Sequence, residues 1–182
     1  GGPHWSGRLR GPGGDPRQGG RCPWWFTLAG EPYNHSLVVG GGARATALIS
    51  FFGSANDGIE TPDMICAASA GDDGSPHGRR PSQTVTPLSL AHGIRLDTRF
   101  AVGSENGVAA EILRQNGVVL FCWEHHNIPL IVAALGIDDP ATTIWPDDRF
   151  DLIWLFQSSQ PGPYSFTAMN QALLEGDVRT NG

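Results

Sequence analysis

Long apolar runs are missing from this chain of 182 residues: no stretch approaches the roughly 18–20 apolar positions needed to span a bilayer as a helix. The N-terminus lacks the basic-then-apolar order of a secretory signal. A cytoplasmic protein with no membrane partner is therefore expected. Cysteine is scarce. Cys22, Cys66 and Cys122 lie far apart and form no CxxC pair, so a disulfide framework and a zinc knuckle are both excluded, and buried reduced thiols are expected. Positive charge is also in short supply, with a formal net charge of −6. A polyanion would be repelled unless basic residues clustered locally, so no nucleic-acid partner is expected.

What is present suffices for one substantial core: 40% of residues are hydrophobic and six are tryptophan. Residues 1–23 are dominated by Gly, Pro and Arg and carry almost no aliphatic side chains. They cannot bury enough surface to offset the entropy of ordering, and a loosely packed arm is predicted there. A single domain is predicted over 24–182. Its opening segment, 24–28, is a short aromatic run suited to a buried strand. Helix formers at helical spacing follow over 43–52, after three glycines that would end the preceding loop.

A strand is predicted over 62–68, a polar loop over 71–80, and a helix over 83–92 closed by Gly93. Residues 96–102 read as extended and 105–114 as a helix ended by Asn116-Gly117. The clearest strand is 118–123, continuous and apolar, as expected of a strand covered on both faces. A helix over 128–135 tolerates Pro129 in its first turn and stops at Gly136. Strands over 151–156 and 164–167 form an edge hairpin. Strands alternating with helices imply an α/β fold, a three-layer α/β/α sandwich with a mainly parallel central sheet.

Ligands of open α/β sheets bind beyond the carboxyl ends of the strands, which directs attention to 29–34, 69–83 and 124–127. The cluster Glu124-His125-His126-Asn127 sits between the best strand and a helix N-terminus, where an anion is favoured and a histidine can bond a phosphate oxygen. Equally, one of these histidines could cap the helix or pack on Trp123. A shared metal ion is not expected, because adjacent side chains leave a strand on opposite faces and no HExxH spacing occurs. Arg79 and Arg80 precede the second helix, and an arginine fork suits phosphate, although a loop arginine is ordinarily a solvated charge.

Four ordered motifs resemble the histidine phosphatase (phosphoglycerate-mutase-like) superfamily, over a match running from about Gly30 to the C-terminus. Arg80-Pro81-Ser82-Gln83-Thr84 is similar to its Arg-x-x-Gln-Thr segment, and Trp123-Glu124-His125-His126-Asn127-Ile128-Pro129 to its Trp-Glu-His-x-x-Ile-Pro segment. The stretches from Trp145 to Asp151 and from Gln171 to Asp177 resemble its C-terminal segments. The resemblance implies a phosphoglycerate-mutase-like fold, no cofactor, no metal, and hydrolysis of a phosphate monoester through a phosphohistidine. It implies Arg80 and His125 as catalytic and phosphate-binding residues, Asn34 as a further phosphate-binding position, Glu105 as a candidate general acid with a helix-capping glutamate as the alternative, and a phosphorylated small molecule or phosphate as partner.

The chain departs from the family at its first motif, Arg-His-Gly. Gly30 is followed by similar sequence, but Leu28 and Ala29 stand where the arginine and the nucleophilic histidine belong. An alanine cannot attack phosphorus, so hydrolysis is expected to be impaired. His35, a few positions on, would need a rearranged backbone to substitute. The alternative is a non-catalytic phospho-ligand or protein-binding module on the same fold.

Overall fold

A computed structural model of the chain describes residues 24–29, 39–53, 59–70, 79–158 and 164–177. The expected arm over 1–23, Asn34 and His35 lie outside the described residues.

Val118–Trp123 (β4) organises the rest. None of its six side chains is more than 4% exposed, and they divide by parity between the two faces of one six-stranded sheet. Val119, Phe121 and Trp123 pack with Val108 and Ile112 of Glu105–Arg114 (α3) and with Ile128 and Ile131 of Ile128–Ala134 (α4). Val118, Leu120 and Cys122 pack with Leu48 and Phe52 of Val39–Gly53 (α1) and with Val85 and Leu88 of Arg79–His92 (α2). Each large apolar side chain buried this way contributes about 1.5–3 kcal/mol, which is why an unbroken apolar run takes a central strand.

On one side β4 pairs in parallel with Met64–Ala67 (β2), which pairs in parallel with the short edge strand Arg95–Asp97 (β3). On the other side it pairs in parallel with Trp24–Ala29 (β1), and Leu152–Ser158 (β5) and Tyr164–Asn170 (β6) continue the sheet antiparallel, giving the order β3-β2-β4-β1-β5-β6. This is the predicted three-layer sandwich, with the predicted hairpin at its edge.

Several boundaries differ from expectation, β6 among them by running on to Asn170, and three have a local cause. α1 begins at Val39, so the glycines read as loop lie inside it. α2 begins at Arg79, absorbing the end of the predicted loop. Pro81 is tolerated there because first-turn N–H groups have no helical acceptor to lose. Finally, β3 ends at Asp97, where the carboxylate accepts the Arg99 backbone N–H at 3.0 Å and its guanidinium at 2.6–3.1 Å, turning the chain out of the sheet. Gly117, at φ 101°, is obligatory: a Cβ there would lie 2.2 Å from Asp63 Oδ2, the atom that accepts the Val118 N–H.

Candidate functional site at the carboxyl edge of the sheet

Parallel register brings the ends of the central strands together. Ala29, the last residue of β1, lies opposite Trp123, the last residue of β4, and the Ala68 N–H donates to the Cys122 carbonyl at 3.1 Å just beyond β2. His125 therefore follows two residues after the partner of Ala29. Ala29 itself is buried in the apolar layer with Trp123 and Phe121, and Leu28 is wholly buried in the opposite layer with Leu48, Phe52 and Ile65.

After Trp123 the chain leaves strand geometry. The Asn127 and Ile128 N–H groups both donate to the Glu124 carbonyl, at 3.0 and 3.2 Å, forming a turn. Strand alternation ends with it, and this corrects the argument that Glu124, His125 and His126 must diverge. One ligand atom from each lies within 4.8 Å of the other two. His125 Nδ1 is 2.9 Å from Glu124 Oε1, and its ring lies 3.9 Å, centroid to centroid, from that of His126. The edge of Phe150 closes another side at 5.6 Å. Burial pushes the His125 pKa down and wins overall; Glu124 and Asp147 oppose it, while His126 adds to it.

Neither bland alternative for His125 describes its contacts. Asn127, not a histidine, occupies the N-cap of α4. The aromatic rings against His125 are those of His126 and Phe150.

The Trp123 indole is engaged elsewhere: Nε1 donates to Glu105 Oε1 at 3.0 Å. The same oxygen accepts Asn127 Nδ2 at 2.8 Å and the Gly103 N–H at 2.9 Å. Glu105 thus joins the start of α3, the end of β4 and the His-bearing turn. Burial alone would raise its pKa, but the donors from Gly103, Asn127 and Trp123 outweigh it and hold the carboxyl below its ordinary value.

Arg80 lies in the first turn of α2, the helix that follows β2 and therefore starts from the carboxyl edge of the sheet. Among the described residues its Nε is buried without a hydrogen-bond partner, and so is Oε1 of Gln83, three residues on and on the same helix face. Among the described residues no hydrogen bond or ion pair joins Arg80 to His125. Asp147 was not singled out in the sequence, although it lies in a quoted motif; its Oδ1 is 3.1 Å from His126 Nε2 and 3.7 Å from His125 Nε2. Only its place in the Trp145 to Asp151 stretch pointed toward it.

No family model and no curated protein matches the chain. Among solved structures, it is similar to a protein assigned as the phosphohistidine phosphatase SixA from Agrobacterium tumefaciens, with 16% identity over 81% of this chain and 98% of that one and a TM-score of 0.43. That similarity is too distant to carry a function.

Proposed function

We propose that the chain is a histidine-phosphatase-like protein that holds the phosphoryl group of a phosphorylated small molecule between Arg80 and His125, with hydrolysis impaired. The carrying observation is the buried, unpartnered Nε of Arg80 in the first turn of α2. Satisfying a buried charged donor with an anion oxygen makes about 1.5–3 kcal/mol of binding available there. His125 supports the same reading: Glu124 Oε1 takes the Nδ1 side of its ring and leaves Nε2 for a ligand once the exposed Asp147 side chain swings away.

Ala29 favours the non-catalytic form of this reading. Its methyl group is 2% exposed and packed into the apolar layer, at the position where the resembled family carries its nucleophile. No covalent intermediate can form on it. We assign Glu105 a positioning role, since a carboxylate that accepts three N–H donors is held ionised and has no proton to deliver.

The test is thermal protection by inorganic phosphate or vanadate, together with turnover of p-nitrophenyl phosphate. Protection is expected for the wild type and lost in Arg80→Ala and His125→Ala, with no phosphohistidine formed. Any metal-free turnover should disappear in His125→Ala. Protection that survives both substitutions, or hydrolysis that requires an added metal, overturns the proposal.

A further inference from the structure

All four ring nitrogens of His125 and His126 face carboxylate oxygens. The two Nδ1 atoms lie 2.9 and 3.3 Å from the same atom, Glu124 Oε1, while the two Nε2 atoms face Asp147 Oδ1 at 3.7 and 3.1 Å. A cation among the Nδ1 atoms and Oε1 leaves the N–H of each ring on Nε2, where Asp147 Oδ1 accepts that of His126 at 3.1 Å.

The spacing suits such an ion. Tetrahedral bonds of about 2.0–2.1 Å place ligand atoms roughly 3.3 Å apart, and the Nδ1 to Oε1 separations fall close to that edge. Glu124 is already aimed: its other oxygen, Oε2, accepts the His126 backbone N–H at 3.0 Å, which fixes the carboxylate with Oε1 toward the rings. Asp147, from a separate segment, supplies the outer carboxylate that histidine ligands commonly bond through their second nitrogen.

We infer that Glu124 Oε1, His125 Nδ1 and His126 Nδ1 form a binding site for a divalent transition ion of the zinc type, with Asp147 as the outer partner that sets the His126 tautomer. Imidazole with one carboxylate selects zinc, cobalt, nickel or copper over magnesium and calcium. With three protein ligands and His126 64% exposed in its side chain, a coordination position stays open to solvent, so the ion is exchangeable. The site shares His125 with the phosphate reading but engages its Nδ1 rather than Nε2, and the inference does not depend on that reading.

Cobalt titration of the full chain, followed by visible absorption, tests it. One ion per chain is expected, displaced by zinc and unaffected by magnesium. His126→Ala or Glu124→Gln should weaken binding by at least about 100-fold and Asp147→Asn by about 10–100-fold. His92→Ala, whose ring instead faces the Ile49 carbonyl, should bind as the wild type does. His126 and Glu124 lie outside the core, so these variants keep the fold. Absent ligand-field bands, bands unchanged in both His126→Ala and Glu124→Gln, or equal competition by magnesium overturns the inference. No phosphate is present in the assay, so a negative result leaves the phosphate proposal standing.

Discussion

Asp177 grips Arg44 with both carboxylate oxygens, Oδ2 accepting Nη1 at 3.0 Å and Oδ1 accepting Nη2 at 2.7 Å, and so ties the C-terminal segment to α1. Gln171 Oε1 accepts Nη1 as well, at 2.9 Å. Two residues of the last quoted motif therefore serve one buried guanidinium. Both side chains of the pair are less than a tenth exposed. Removing the charge of one partner should cost about 3 kcal/mol, because Arg44 would stay buried and underpaired. Asp177→Asn is expected to lower the urea midpoint accordingly.

The same pair fixes a pH dependence. Burial opposes ionisation of Asp177, but Arg44 and the Leu173 and Leu174 N–H groups prevail and bring its pKa down to about 2, from an ordinary 3.8. The folded state thus holds this proton less tightly than the unfolded state. The contribution is complete above the ordinary value and is lost as pH falls toward 2. Urea midpoints measured from pH 5 to 2 should fall less steeply for Asp177→Asn than for the wild type; equal slopes would show that the pair is not the titrating element.

Glu105→Gln tests the positioning role. The substitution keeps an oxygen acceptor but removes the charge that strengthens three hydrogen bonds, so a loss of about 2 kcal/mol is expected. Near-UV circular dichroism should change with it, since Trp123 loses its charged partner. A merely exposed helix-start glutamate would show neither effect.

Legibility of the sequence followed the range of the interactions. β4 was readable because burial on both faces writes an unbroken apolar run, and Gly93 and Gly136 were readable as helix ends because each takes positive φ. The start of α2 was misread because Pro81 and the preceding arginines look like loop, whereas the first helical turn needs no N–H from proline. At the site, His125 was legible from its place after a strand. Its company was not. Glu105 meets Trp123 across 18 residues and Asp147 meets His126 across 21, and no local pattern encodes such pairs. The convergence of Glu124 with both histidines was hidden by treating the residues after Trp123 as continued strand.

Thr27 offers a prediction of the opposite sign. Its side chain is fully buried in β1, and Oγ1 has no hydrogen-bond partner. Valine has nearly the same shape and no polar atom to desolvate. Thr27→Val should therefore raise stability by about 1 kcal/mol, seen as a higher urea midpoint with unchanged slope. A drop would mean that a water or a displaced group satisfies the hydroxyl.

Introducing the Arg-His pair of the resembled family at Leu28 and Ala29 should fail for reasons of packing. Leu28 is 0% exposed and packs in the apolar layer of Leu48, Phe52 and Ile65. An arginine there must bring a guanidinium into that apolar layer, at several kcal/mol, a large share of the stability of a domain this size. Ala29→His is milder: an imidazole forced beside Trp123 and Phe121 overpacks that layer by about 1–3 kcal/mol. Thermal unfolding should accordingly show Ala29→His folded with a lowered midpoint and Leu28→Arg without a cooperative transition. Should the double variant melt like the wild type and hydrolyse p-nitrophenyl phosphate, the first strand would accommodate such a pair, and the way the core is built around Leu28 and Ala29 would not be what excludes it.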